Sequence, residues 1–411
     1  MRKNIKYAFF GLLLSAVMLA SGCGEKEEKP YYVTLNVATI LGDAAEYGVY
    51  SGLLDEFTAE NELIRVRDTS SPRENGYKLG LNLESTYGKS GSPDVIYTTW
   101  AEIRDSNLAG QFVSLEEIRR SDPEFAANIY PAALDTLRDD ESDIYCVPVM
   151  GEWGGILVNT ALLDEAGARP PNIWKDLLDT VDSLTARGTL PFANPPEEGA
   201  IAVEQMQIST GINIIESAET GPRIDGAVMG AYAELRRRNA FPRAAAADPD
   251  GKKADGFALF NEGKAAMIFI DQDTAGRINT SSDAFESGDI TLIPAPNPVS
   301  VFQLAQAAPG GCREGFFITR RAYDSANLRP AALAFVSAMT SPGAGERFAA
   351  IGALPVAEGC EISDDDGDSA SVRIVSLVYG NLGKFSRLAL SIRTSAHRAF
   401  WDDVNKTCLG E

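Results

Sequence analysis

Short apolar runs alternate with amphipathic stretches along nearly the whole chain. Tyr32–Ile40 is rich in β-formers, and Leu53, Leu54 and Phe57 then follow at helical spacing. Asp94–Thr98 (DVIYT) predicts a short buried strand, and Ser114-x-x-Glu117 a capped helix start. Ile144–Val149 predicts another strand, continued after a turn by Gly155–Val158. Thr160–Ala166 reads as a helix closed by Gly167. Leu177, Leu178, Val181 and Leu184 mark the buried face of a helix that stops at Gly188. Phe257–Asn261 predicts a helix. Ala265–Ile270, Ile290–Ile293 and Phe316–Thr319 predict strands. Ala-rich helices are expected at Ala331–Thr340 and Glu346–Ile351, with a mainly helical last stretch. Strands alternating with helices imply an α/β protein whose helices cover a largely parallel sheet. Ligands of such sheets gather at the loops leaving the strand C-termini.

The first residues follow a different pattern. Arg2, Lys3 and Lys6 precede an apolar run from Ala8 to Ala20. As a helix that run spans about 20 Å, short of the ~30 Å hydrocarbon core of a bilayer. It predicts a secretory signal over residues 1–22. Ala20-Ser21-Gly22-Cys23 resembles the bacterial lipobox, which implies cleavage before Cys23 and lipid on that residue. Gly24–Pro30 is charged and reads as a solvated tether. The body is therefore expected outside the cytoplasm, held to a bacterial membrane by lipid on Cys23.

Composition then removes several functions. The 411 residues carry 37 Lys+Arg against 58 Asp+Glu, a formal charge of −21. Loss of Arg2, Lys3 and Lys6 with the signal takes it to −24. Such an acid excess argues against nucleic acid as a partner. One histidine, His397, makes histidine catalysis or a multi-histidine metal site improbable. Beyond Cys23 stand Cys146, Cys312, Cys360 and Cys408, which allow three pairings, with Cys360–Cys408 the preferred one. No cofactor or metal is expected.

Motifs of common enzymes fail on inspection. Tyr87-Gly88-Lys89-Ser90 ends like a phosphate loop, but Leu83 stands where a Walker motif needs its first glycine. Asp364–Asp368 resembles a calcium loop, yet Ile362 and Arg373 occupy positions that need carboxylates.

Four segments together resemble the bacterial extracellular solute-binding proteins of family 1, the maltose-binding class. They are SPDVIYTTWAEIRDSNLAGQFVSL (92–115), IYCVPVMGEWGGILVNTALLDEAGARPPNIWKDLLDTVDSL (144–184), FALFNEGKAAMIFI (257–270) and the stretch 289–355 with IPAP, FFIT, TSPGAGERF and GALP. The resemblance implies a two-lobed periplasmic-binding-protein-like fold with a hinge and an inter-lobe ligand cleft. One lobe is expected from 31–147 and 296–340, the other from 148–295 and 341–411. Crossings are expected near Val147–Met150, Ile293–Pro296 and Thr340–Pro342. It further implies a monomer without catalysis that captures a mono- or oligosaccharide and passes it to the permease subunits of an ABC-type importer.

Sugar rings offer an apolar face and a rim of hydroxyls, so aromatic planes and fixed polar groups should hold them. Trp100, leaving the strand 94–98, is the first stacking candidate, and Trp153 beside Glu152 the second. By resemblance, Asp43, Glu46 and Tyr47 follow the first strand at an early ligand contact. Asp271, Gln272 and Asp273 match a ligand loop where the family often carries Trp. Gly310-Gly311 and Arg313-Glu314 are expected to form a loop at the cleft edge. Two other readings stay open: a cationic solute such as a polyamine, paired with these acids and packed by Trp, and an extracellular glycosidase.

Overall fold

The protein is described from a computed structural model, covering residues 32–40, 44–70, 91–105, 108–138, 143–195, 198–211, 223–242, 255–300, 307–362, 370–382, 387–389 and 398–409. The strands are β1 (Val33–Thr39), β2 (Ile64–Asp68), β3 (Val95–Thr99), β4 (Cys146–Val147), β5 (Met150–Asn159), β6 (Leu190–Phe192), β7 (Ala265–Asp271), β8 (Ile290–Ile293), β9 (Ala307–Gly311), β10 (Glu314–Ile318), β11 (Leu354–Pro355) and β12 (Arg387–Ala389). Among the helices, those used below are α1 (Ala44–Glu60), α2 (Trp100–Asp105), α3 (Trp174–Ala186), α4 (Gly199–Ser209), α5 (Leu328–Met339), α6 (Pro342–Ala349) and α7 (Ala370–Leu382). No described helix is long and apolar enough to cross a membrane.

Two sheets organise these elements. The first runs β2-β1-β3-β10-β4, with β1 parallel to its neighbours and β10 antiparallel to β3 and β4. Leu35, Val37, Val95, Ile96 and Phe317 are wholly buried in it. Near-continuous apolar strands of this kind are covered on both faces. Helix α1 contributes Tyr50, Leu53 and Phe57 to the same core, and Phe57 meets Phe335 of α5 edge-on at 5.3 Å.

The second sheet runs β12-β9-β5-β7-β6. Its axis is the ten-residue β5, whose start pairs with β11 and β9 and whose end pairs with β7 and β8. β7 (AAMIFID) is buried from end to end. In α3, Leu177, Val181 and Leu184 lie on one buried face at the expected helical spacing. The Ser114 side chain accepts the Glu117 N–H at 3.3 Å and starts the helix 115–121 as its spacing predicts.

The chain passes from the first sheet to the second between Val147 and Met150. It returns between Gly311 and Glu314, not near Ile293–Pro296, because β9 still pairs with β5 in the second sheet. One further expectation differs. Gly155–Val158 does not resume the strand of Cys146–Val147; it is the later part of β5, in the other sheet.

The pairing expected for Cys360–Cys408 is not formed. All four cysteines among the described residues are free and buried. Cys360 packs over Gly345 beside Pro355, while Cys408 packs over Gly199 beside Tyr232, in a separate apolar cluster. Cys23 lies outside the described residues, as does the whole segment 1–31.

Candidate functional site

A cleft of about 450 Å³ opens where elements of both sheets meet. From the first sheet come Tyr97, in the middle of β3, and Glu314, the first residue of β10. From the second come Met150, Gly151 and Glu152 at the start of β5, and Gln272 and Asp273 in the turn after β7. Glu46 in the first turn of α1 and Arg313 between β9 and β10 complete the charged lining. The loop Ile351–Ala353 and Ser371 of α7 close one side.

Local structure explains these positions. Gln272 is held by its N–H, which donates to the Trp153 carbonyl at 3.3 Å. Asp271 precedes it and is 9 % exposed; its Oδ1 accepts the Thr274 N–H at 3.1 Å and the Thr274 hydroxyl at 2.7 Å. That carboxylate closes the turn which presents Gln272 and Asp273, so Asp271 shapes the cleft and does not line it. Arg313 donates through Nε to Glu152 Oε1, joining the return segment to β5. The pair is part-buried, and its guanidinium offsets one of the four lining carboxylates found among the described residues.

The sequence candidates divide accordingly. Glu46, Glu152, Gln272, Asp273 and Arg313 come together in the cleft. Tyr47 does not line it; its ring leans on Tyr50 at 6.1 Å. Trp100, placed in the cleft by the sequence, is instead stacked on Tyr145 at 5.1 Å with an interplanar angle of 3°, and on Phe317 at 6.2 Å. Trp153 is 3 % exposed and belongs to the core, on the opposite face of β5 from Glu152. Gly311 supplies backbone: it pairs with Glu152 at a φ of +107° and does not line the cleft. Asp43 lies outside the described residues.

Sequence reasoning missed Tyr97, Met150, Gly151, Ile351, Gly352, Ala353 and Ser371. Tyr97 reads as a core residue within DVIYT, and it is indeed wholly buried. Ile351–Ala353 and Ser371 arrive from far along the chain, and no local pattern marks them. Glu314, expected with Arg313 in the edge loop, lines the cleft as well. Among the described residues no group of three or more His, Cys, Asp or Glu side chains is placed to hold a metal ion.

Two α/β sheets joined by passing strands, with a polar cleft at their junction, define a receptor for small solutes. The chain belongs to the bacterial extracellular solute-binding proteins, whose family model matches residues 52–369. It is also similar to YcjN of Escherichia coli (strain K12), whose name describes an ABC transporter periplasmic-binding protein, at 27 % identity over 218 residues. That match covers 50 % of this chain and 49 % of YcjN, about half the length of each.

Solved structures share the fold across nearly the whole chain. A family 1 extracellular solute-binding protein from Alicyclobacillus acidocaldarius superposes with a TM-score of 0.68 at 15 % identity, covering 93 % of this chain and 95 % of that one. A secreted solute-binding lipoprotein from Streptomyces coelicolor gives 0.66 at 18 %, with the same coverage. The bacterial solute receptor AcbH, described as preferring β-D-galactopyranose, gives 0.66 at 14 %, covering 91 % of this chain and 90 % of its own.

Proposed function

We propose that this protein is an extracytoplasmic receptor, anchored by lipid on Cys23, that takes up a mono- or oligosaccharide and delivers it to an ABC-type importer. The observation that carries this reading is the cleft itself, which gathers Glu314 of the first sheet with Gln272, Asp273 and the Glu152–Arg313 pair, beside Met150 and Ile351. Fixed carboxylate, amide and guanidinium groups beside apolar surface suit a ring with a hydroxyl rim. The sugar preference of AcbH, which has the same fold, supports the solute class. The similarity to YcjN supports the importer, and the basic head, short apolar run and Cys23 support export and lipidation.

One lobe would carry the first sheet and the other the second, closing on solute in a state the free protein already samples. No step of catalysis is assigned to the carboxylates. Thermal unfolding of the protein from Gly24 onward, scanned across monosaccharides and oligosaccharides, tests the reading. A true ligand at a hundred times its Kd adds about 2.7 kcal/mol. Silence across all saccharides, with a response to another solute class, removes the sugar assignment. Retention of a Cys23→Ala protein in the membrane fraction removes the anchor.

A further inference from the structure

Among the described residues the cleft lining is acidic: Glu46, Glu152, Asp273 and Glu314 stand with one guanidinium, Arg313, a formal charge of −3. Within it Glu152 is only half engaged. Arg313 donates to Oε1, whereas Oε2 is buried and accepts no hydrogen bond. A buried carboxylate oxygen without a donor is costly, and a group that supplies one recovers that free energy.

The orphan Oε2 is an acceptor, and the surrounding charge is negative. A hydroxyl has one proton to give, whereas an ammonium gives three and brings a positive charge into an acidic site. We propose that the solute is a saccharide bearing a protonated amine, whose ammonium group donates to Glu152 Oε2. This rests on the reading above that the cleft takes a saccharide, and it narrows that class to amino sugars and their oligomers. Asp273 and the other lining carboxylates raise the local concentration of such a cation.

Matched probes test it: D-glucosamine, N-acetyl-D-glucosamine and D-glucose, each also as β-1,4-linked oligomers, titrated by calorimetry at pH 7 and two salt concentrations. The amine forms are expected to bind about tenfold or more tighter than their neutral counterparts at low salt, a gap that narrows as salt rises. Glu152→Gln should erase that gap, the amine forms losing the larger share of affinity. Because Glu152→Gln also disturbs Arg313, Asp273→Asn serves as a second variant and should narrow the gap without touching that pair. Neutral saccharides binding as tightly as the amines overturn the amine proposal and leave the saccharide reading standing. No binding of any saccharide, neutral or amino, overturns the saccharide reading and the proposal with it.

Discussion

Gly151 and Gly311 pass each other at backbone distance: a Cβ on Gly151 would come within 2.8 Å of the Gly311 carbonyl oxygen. Gly151 lies just after the first passage between sheets and Gly311 just before the return. The contact therefore welds the two passing segments together. Gly311 is further bound by its φ of +107°, which side chains with a Cβ rarely adopt, and by Thr136 Cγ2 at 2.4 Å from an added Cβ.

Gly151→Ala should accordingly lower stability by about 1–3 kcal/mol, because neither backbone segment yields cheaply. Gly48→Ala is the control. It sits in α1 with nothing within 4 Å of an added Cβ, and exchanging glycine for alanine there should stabilise by up to ~1 kcal/mol. Urea unfolding of both variants decides the matter; equal midpoints would show that the passing segments are not tightly packed. Gly151→Ala should also weaken solute binding, since it spreads the segments that line the cleft.

Trp100 is a packing residue in this structure, and its substitutions should behave as such. Trp100→Ala removes the slab between Tyr145 and Phe317 and should cost about 2–4 kcal/mol. Trp100→Phe keeps a ring in the stack and should leave solute affinity within about twofold, since a conservative ring exchange outside the cleft loses no ligand contact. A large loss of affinity in Trp100→Phe at unchanged stability would return this residue to the binding surface.

Acid should reveal Asp94. Its carboxylate is buried at the head of β3, where Oδ2 accepts from the Asn36 N–H at 2.9 Å and the Asn36 amide at 3.2 Å, and Oδ1 from Arg321 at 2.5 Å. Burial is the largest influence and outweighs these partners, holding the pKa above the ordinary aspartate value. A carboxyl whose folded pKa is raised binds its proton more readily in the folded state. Its contribution is thus fully present below the unfolded pKa of about 3.9 and is lost as pH rises through the folded value. The stability of the native protein minus that of Asp94→Asn should therefore grow as pH falls through the folded pKa. A difference that shrinks on acidification would mean that the Arg321 and Asn36 bonds dominate instead.

Most of the fold was legible because its elements are local and apolar. The runs at 33–39, 95–99 and 265–271 carry enough β-branched and aromatic residues to declare strands, and α3 declares itself by Leu177, Val181 and Leu184. Where the chain changes sheets was less legible. Ala307–Gly311 (AAPGG) has no strand pattern and becomes β9 only by pairing with β5 and β12. In the candidate site, charge was the better guide. Glu46, Glu152, Gln272, Asp273 and Arg313 reach the cleft, since burying such groups in a core is costly. The tryptophans did not follow, because an indole is as content against Tyr145 and Phe317 as against a sugar.

The four thiols provide the last prediction. Cys146, Cys312, Cys360 and Cys408 are all free and buried. Burial disfavours the thiolate at each: the pKa of Cys408 is pushed up to about 11, and those of Cys146 and Cys312 also rise well above the ordinary thiol range. Since the thiolate is the nucleophile, a folded protein that begins at Gly24 should be nearly silent to a thiol reagent at pH 8. Unfolding in guanidinium without reductant should then release four reactive groups. Cys360 should lead any slow reaction of the native state, being the most accessible of the four at 9 %. A count of two in guanidinium would demonstrate one disulfide. Because Cys360 and Cys408 sit in separate clusters, such a bond between them would require rearrangement of the structure described above.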